Sequence, residues 1–291
     1  MTAAPLLPLR PAFLDRLAAV RELAVPLLRG PALGAAISGT AAEFEGYRPY
    51  LPGDDIRGVD WNLFARSGEL YVKLFRVEEE IEAVLLLDES ASMLAGGGAK
   101  FRTAAAACAA LAYLGLLTAH PVTLLRYADR ARGIFGPHRQ LEAFTSLSRR
   151  LAAPAAGGGT DLGRSLAPLL RGLRPMTVVA LTDGFQREPL ARVAAAVRAA
   201  GRARLVVVLV RDERDRRPPL RGNLLLQDDE GAEAVAVLSD RELERELHGA
   251  LARDAAARER ELARGGAQVL SLPAQAPFEE SFLSLLRARA N

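Results

Sequence analysis

Three short segments of this 291-residue chain carry side chains that together could hold a metal ion. The first is Asp88-Glu89-Ser90-Ala91-Ser92, which follows the apolar run from Ile81 to Leu87. The second is Gly157-Gly158-Gly159-Thr160-Asp161, and the third is Leu181-Thr182-Asp183-Gly184, at the end of another apolar run. Ser90, Ser92 and Thr160 are neutral oxygen donors, while Asp88 and Asp183 supply charge directly or through bound water. An all-oxygen set without nitrogen or sulfur suits a hard divalent cation, Mg2+ or Mn2+, which takes six oxygens at about 2.0–2.1 Å and keeps several waters. Neutral hydroxyls leave the ion electron-poor, and one position open to a carboxylate from a partner. No side chain stands out as a general base for attack by water, so the set reads as a docking site with no catalytic residue. A metal-dependent hydrolase of phosphoesterase type, using the same residues, is the alternative.

These segments need a scaffold that brings three loop ends together. Strands are expected at 81–88, 122–127, 131–135, 176–182, 204–210 and 268–272, and helices at 100–119, 138–151, 161–172, 188–200, 240–264 and 278–289. Such alternation argues an α/β fold built on a doubly wound, mostly parallel sheet, whose site lies at the carboxyl ends of the strands. The glycines at 157–159 let backbone approach closely, and Thr160 is expected to cap the helix beginning near Asp161. Residues 11–28 read as one amphipathic helix with Phe13, Leu14, Leu17, Val20 and Leu23 on a face. Arg211 to Pro219 reads as a charged linker. The segments 224–227 and 234–238, flanking Asp228-Asp229-Glu230-Gly231, read as a β-hairpin.

With those residues in view, the trio resembles the metal-ion-dependent adhesion site of von Willebrand factor A domains. The resemblance implies that Ser90, Ser92 and Thr160 ligate the metal, with Asp88 and Asp183 holding it mostly through water. A second signature lies upstream: Glu43-Phe44, Tyr47-Arg48-Pro49-Tyr50, Pro52-Gly53-Asp54-Asp55-Ile56-Arg57, Val59-Asp60-Trp61, Ala65-Arg66, Val72-Lys73 and Glu78-Glu79-Glu80. This block resembles the bacterial family known as domain of unknown function 58, from about Gly34 to the C-terminus. The resemblance implies an adaptor or co-chaperone working with a MoxR-type AAA+ ATPase. It also implies three parts: a helix and linker at 1–39, a small β-rich cap at 40–79, and a von Willebrand factor A-like domain at 80–291 with a hairpin insertion at about 223–238. Longer members of the family carry transmembrane helices before the signature, which this chain is expected to lack. Within the block, the turn at Pro52-Gly53-Asp54 and the Asp and Arg residues around Trp61 suit ion pairs that pin the cap, or a partner-binding surface.

Composition narrows the function classes. Half the residues are hydrophobic, ample for a core, and the net charge is only +3. The pI of about 9.3 reflects an arginine-rich chain whose only lysines are Lys73 and Lys100. Basic residues alternate with acidic ones, as in 211–217 and 240–246, so no basic stripe for nucleic acid is present. One cysteine, Cys108, forbids an internal disulfide and sits in an apolar run as a small buried residue. Asp15, Arg16, Arg21 and Glu22 interrupt any signal-peptide core, and a cytoplasmic location is expected. Residues 103–125 lack charge, but Pro121 divides them into helix and strand rather than a membrane span. Gly96-Gly97-Gly98-Ala99-Lys100 lacks the spacing and the hydroxyl of a phosphate loop. His120, His138 and His248 are too scattered for a zinc site or triad.

Overall fold

The structure, a computed structural model, describes residues 9–29, 42–77, 80–152, 157–172, 174–186, 188–218, 222–227 and 234–290. The glutamates at 78 and 79 and the acidic turn 228–231 lie outside these residues. The chain divides into two compact units, Met1–Pro31 with Ile81–Asn291, and Ala32–Glu80.

Along the chain, α1 (Pro11–Ala19) and α2 (Val25–Arg29) come first, separated by a 3-10 turn at Arg21–Leu23. The single helix expected over 11–28 is therefore broken. Pro26 is tolerated only in the first turn of a helix, so a new one must start just before it. In the small unit, β1 (Ala42–Pro49) pairs antiparallel with β2 (Tyr71–Val77), and α3 (Trp61–Ser67) lies between them in sequence.

The larger unit continues with β3 (Glu82–Asp88), α4 (Ala91–Leu94), α5 (Ala99–Leu117), β4 (Val122–Tyr127), β5 (Ala131–His138) and α6 (Ala143–Leu151). Then come α7 (Leu162–Leu170), β6 (Met176–Thr182), α8 (Leu190–Ala199), β7 (Ala203–Arg211), α9 (Glu213–Arg216), β8 (Gly222–Gln227), β9 (Ala234–Ser239), α10 (Arg241–Arg264), β10 (Gln268–Pro273) and α11 (Phe278–Ala290). β5 runs three residues beyond the expected strand. Its Pro137 is accommodated because β5 is an edge strand, paired on one side only. The 211–219 linker also carries structure, since Asp212 caps α9 by accepting from the Arg214 amide at 2.8 Å.

Six strands form one sheet in the order β10-β7-β6-β3-β4-β5, parallel except for β5, and β8 and β9 form a separate hairpin. Side-chain alternation splits the core into two layers. Leu85 and Leu87 face α1, α2, α5 and α11, whereas Val84 and Leu86 face α7, α8 and α10. Helices therefore cover both faces, and fully buried leucines such as these each contribute about 1.5–3 kcal/mol. α5 is long and apolar enough to cross a membrane, yet 83% of that window is buried against other elements of the fold. A Cβ at Gly115 would meet Val122 Cγ2 at 2.6 Å, so glycine there lets α5 lie directly on β4. Cys108 is buried within α5, and burial raises its thiol pKa.

From β3 the chain moves outward through β4 and β5, then returns to β6 on the other side of β3. The strand order thus reverses between β3 and β6. The carboxyl ends of these two strands flank the crevice where open α/β sheets bind ligands.

Candidate metal centre

Asp88 ends β3 and Thr182 ends β6, so their side chains meet across the crevice: Thr182 Oγ1 donates to Asp88 Oδ2 at 2.6 Å. Asp88 Oδ1 accepts from the Ser90 amide at 2.9 Å, which turns the chain sharply out of the strand. That turn sets the Ser90 and Ser92 hydroxyls 3.1 Å apart. The glycine loop closes on the same turn, because the Ala91 amide donates to the Gly158 carbonyl at 2.9 Å. A Cβ at Gly157 would meet the Ala91 backbone and side chain at 3.2 Å, so a larger residue would push the loop away. On its other side the loop is tied down by the Asp161 amide donating to the Ala128 carbonyl at 2.8 Å. Thr160 sits between these two anchors and is buried, as are Asp88, Ser90, Ser92 and Asp183.

Thr160 does not cap α7. Asp161 does so, its Oδ1 accepting from the Arg164 amide at 2.7 Å. The helix starts one residue later than expected, and an aspartate is a better cap than threonine.

Asp183 is engaged on both oxygens. Oδ1 accepts from the Phe185 amide at 3.0 Å, and Oδ2 accepts from Lys100 Nζ at 2.8 Å. Lys100 lies in the first turn of α5, with its side chain 4% exposed, and also donates to Asp215 Oδ2 of α9 at 2.8 Å. Burial acts to lower the ammonium pKa, but Asp183 and Asp215 together outweigh it and the pKa is raised. Burial, and then the charge of Asp183, push the Asp88 carboxyl up to about 7 against the hydrogen bonds from Thr182 and Ser90. Asp215 is likewise raised by burial, against its pairing with Lys100. Beside Asp88, the fully buried Glu89 is paired with Arg126 at 2.5 Å, with Arg132 at 4.0 Å from its other oxygen. Arg132 also donates to the Gly157 carbonyl at 2.6 Å, linking this charge cluster to the glycine loop.

A family model described as "Protein of unknown function DUF58" matches residues 46–259. The chain belongs to the DUF58 family. This DUF58 chain is 30% identical over 265 residues to uncharacterized protein Rv1480 of Mycobacterium tuberculosis and to Mb1516 of Mycobacterium bovis. In each case the match covers 84% of this chain and 78% of the relative. Among solved structures, BatB from Bacteroides thetaiotaomicron overlays with a TM-score of 0.43 at 13% identity, covering 72% of this chain and 98% of BatB. An aerotolerance-related membrane protein from Bacteroides fragilis overlays with a TM-score of 0.42 at 14% identity and the same coverage.

The donor chemistry of the DUF58 crevice fits a small divalent ion in one measurable respect. The Ser90 and Ser92 hydroxyls are hydrogen-bonded to each other at 3.1 Å, a separation that neighbouring ligands of an octahedral Mg2+, about 3 Å apart, would also take. Burial is the larger cause of the raised Asp88 pKa, and an ion would offset only the second, the negative charge of Asp183. Among the described residues, no group of three or more His, Cys, Asp or Glu could hold a metal, so any such site depends on hydroxyls. The histidines lie elsewhere: His120 precedes β4, His138 ends β5 opposite Val122, and His248 contacts the Pro218 carbonyl from α10. Sequence reasoning missed Thr182, Lys100 and Asp215. Lys100 did leave a trace, as one of only two lysines and next to a glycine run.

In the small unit, the signature block forms its own ion pairs. Arg48 holds Asp54 at 2.6 Å, Lys73 holds Asp60 at 3.2 Å, and Asp55 pairs with Arg57 at 3.2 Å. Asp60 also caps α3 and accepts from the Tyr47 hydroxyl at 2.9 Å. Trp61 stays 58% exposed, with Phe44, Ile56 and Phe64 also at the surface.

Proposed function

We propose that this chain is a metal-dependent protein-binding module of the von Willebrand factor A type. In this reading Mg2+ or Mn2+ is held by Ser90, Ser92 and Thr160, with Asp88 and Asp183 supplying charge. The bound ion would act as a Lewis acid for a carboxylate from a protein partner. The observation that carries the reading is the pair of buried hydroxyls 3.1 Å apart beside Asp88, at the point where strand order reverses. In this arrangement the protein's own residues have distinct work. The Ser90 amide and the Thr182 hydroxyl orient Asp88, and the clamp from Ala91 to Gly158 sets the loop carrying Thr160. The partner implied by the family resemblance is a MoxR-type AAA+ ATPase, with this chain as adaptor or co-chaperone.

The test is capture of a purified MoxR-type ATPase on immobilised protein, in Mg2+ and in EDTA, with wild type, Ser90→Ala and Asp183→Ala. Retention by wild type in Mg2+ alone, with both variants folded by circular dichroism, supports the reading. Equal retention by all three proteins in EDTA refutes the metal bridge. Turnover of a generic phosphoester with Mn2+, abolished by Asp183→Ala, would instead favour a hydrolase.

A further inference from the structure

Lys100 gives the crevice a resident cation. Its Nζ lies 2.8 Å from Asp183 Oδ2 and 2.8 Å from Asp215 Oδ2, inside the protein. This ammonium bonds directly to two carboxylates, Asp183 and Asp215, and the charge of Asp183 in turn acts on Asp88. The choice of residue stands out against the composition, since of 38 basic residues only two are lysines. An ammonium is a compact charge on a flexible stem, able to touch one oxygen on each of two carboxylates and to swing between them. An arginine fork would instead lock one carboxylate through two parallel bonds.

We propose that Lys100 is the built-in counter-ion of this site. Its ammonium holds Asp183 in the metal-free protein, and a divalent cation binds by releasing it from Asp183, leaving it on Asp215 alone. The inference rests on the reading of the five oxygen side chains as a divalent-cation site. The physical ground is like-charge repulsion at short range. An ammonium hydrogen-bonded to Asp183 and a divalent ion drawing on the same carboxylate raise each other's energy in a buried, weakly screened setting. Asp215 already bonds the ammonium at 2.8 Å. It is anchored on α9, directly after β7, and can keep the ammonium paired once Asp183 turns to the ion. Metal binding and the ion pair between Lys100 and Asp183 are therefore antagonistic, and the affinity of the site is set below what its oxygens alone would give.

The experiment is a Mn2+ titration, read by electron paramagnetic resonance, on wild type, Lys100→Met, Asp183→Asn and Arg258→Met. Arg258 is the charge control. It lines the same small recess as Asp183 and Asp215 and donates to the Gly184 carbonyl, with its guanidinium 4.5 Å from the Phe185 ring centre. The expected result is Mn2+ binding at least tenfold tighter in Lys100→Met than in wild type, with Arg258→Met within about threefold of wild type. Equal or weaker binding by Lys100→Met overturns the inference while leaving the metal site standing. An equal gain in Arg258→Met also overturns it, because the effect is then a general field. Absence of binding in both wild type and Lys100→Met overturns the inference and the metal reading together.

A second measurement, on proteins that keep Lys100, covers the case in which Lys100→Met does not fold. With ε-13C-lysine the protein gives two side-chain signals, and Lys73→Arg assigns them. Mg2+ is expected to move the Lys100 signal and leave Lys73 in place. A stationary Lys100 signal, under conditions where Mn2+ binds wild type but not Asp183→Asn, overturns the inference.

Discussion

Asp88→Asn should make the metal-free protein more stable at alkaline pH than wild type, although it removes a residue at the heart of the crevice. Asp88 is fully buried, and burial together with Asp183 raises its carboxyl pKa from the usual 3.8 to about 7. A carboxyl raised on folding holds its proton in the native state while the unfolded chain has already lost it. The native state then binds more protons, so stability falls as pH rises. The contribution is fully present below about pH 3.8 and is lost through about pH 7. Each pH unit in that window is worth about 1.36 kcal/mol, so the loss totals roughly 4 kcal/mol above pH 8. Asparagine has nearly the same shape and no charge, and its oxygen can still accept from the Ser90 amide. The assay is urea unfolding in EDTA at pH 5, 6, 7 and 8. The stability of Asp88→Asn minus that of wild type should widen by roughly 2–3 kcal/mol from pH 5 to 8. Taking the difference cancels histidines and other carboxylates common to both proteins. At pH 8, Mg2+ should restore wild type selectively. A difference that stays flat across the range, or a variant less stable than wild type at pH 8, would refute the argument.

Glu89→Ala should cost about 3–5 kcal/mol in urea unfolding, because it removes the fully buried carboxylate that pairs with the largely buried Arg126 guanidinium. Glu89→Leu combined with Arg126→Leu should recover most of that loss. Ala119 adopts φ +56 at the end of α5, a left-handed conformation that disfavours a Cβ. Ala119→Gly should therefore stabilise the protein by about 0.5–1 kcal/mol, seen as a thermal midpoint about 2 °C higher. In the small unit, the Leu63 amide and then the Tyr47 hydroxyl hold the Asp60 carboxyl down at about 2, and Arg48 holds Asp54 at about 2. Lowered carboxylates stabilise the fold above about pH 3.8, and that stability is lost as pH falls through 2. Trp61, the residue after Asp60 and the chain's single tryptophan, should report this as a fluorescence change between pH 4 and 2. A signal flat down to pH 2 would count against these ion pairs.

Much of the scaffold could be read along the chain. The apolar runs at 81–87 and 176–181 became the two strands flanking the crevice, and the break at Pro121 separated α5 from β4. The close spacing of Asp88, Ser90 and Ser92 placed them on one strand-end turn, because only two residues separate each pair of contacts. The helix over 11–28 failed at Pro26, and Thr160 yielded the cap to Asp161. In both cases the local rule was available, but a competing hydrophobic period or a neighbouring hydroxyl outweighed it.

Local features were legible along the chain: which residues alternate into strands, which turn follows Asp88, and which residue types gather at strand ends. Those depend on interactions within a few residues, so composition and spacing suffice. Which charges meet depends on how the strands and helices are arranged in space. Lys100 finds Asp183 across 83 residues and Asp215 across 115, and Thr182 reaches Asp88 across 94. These pairings follow from strand order and from α9 following β7. Coulomb and hydrogen-bond energies act through space, and nothing in the local pattern around Lys100 specifies that its ammonium will end beside those two carboxylates.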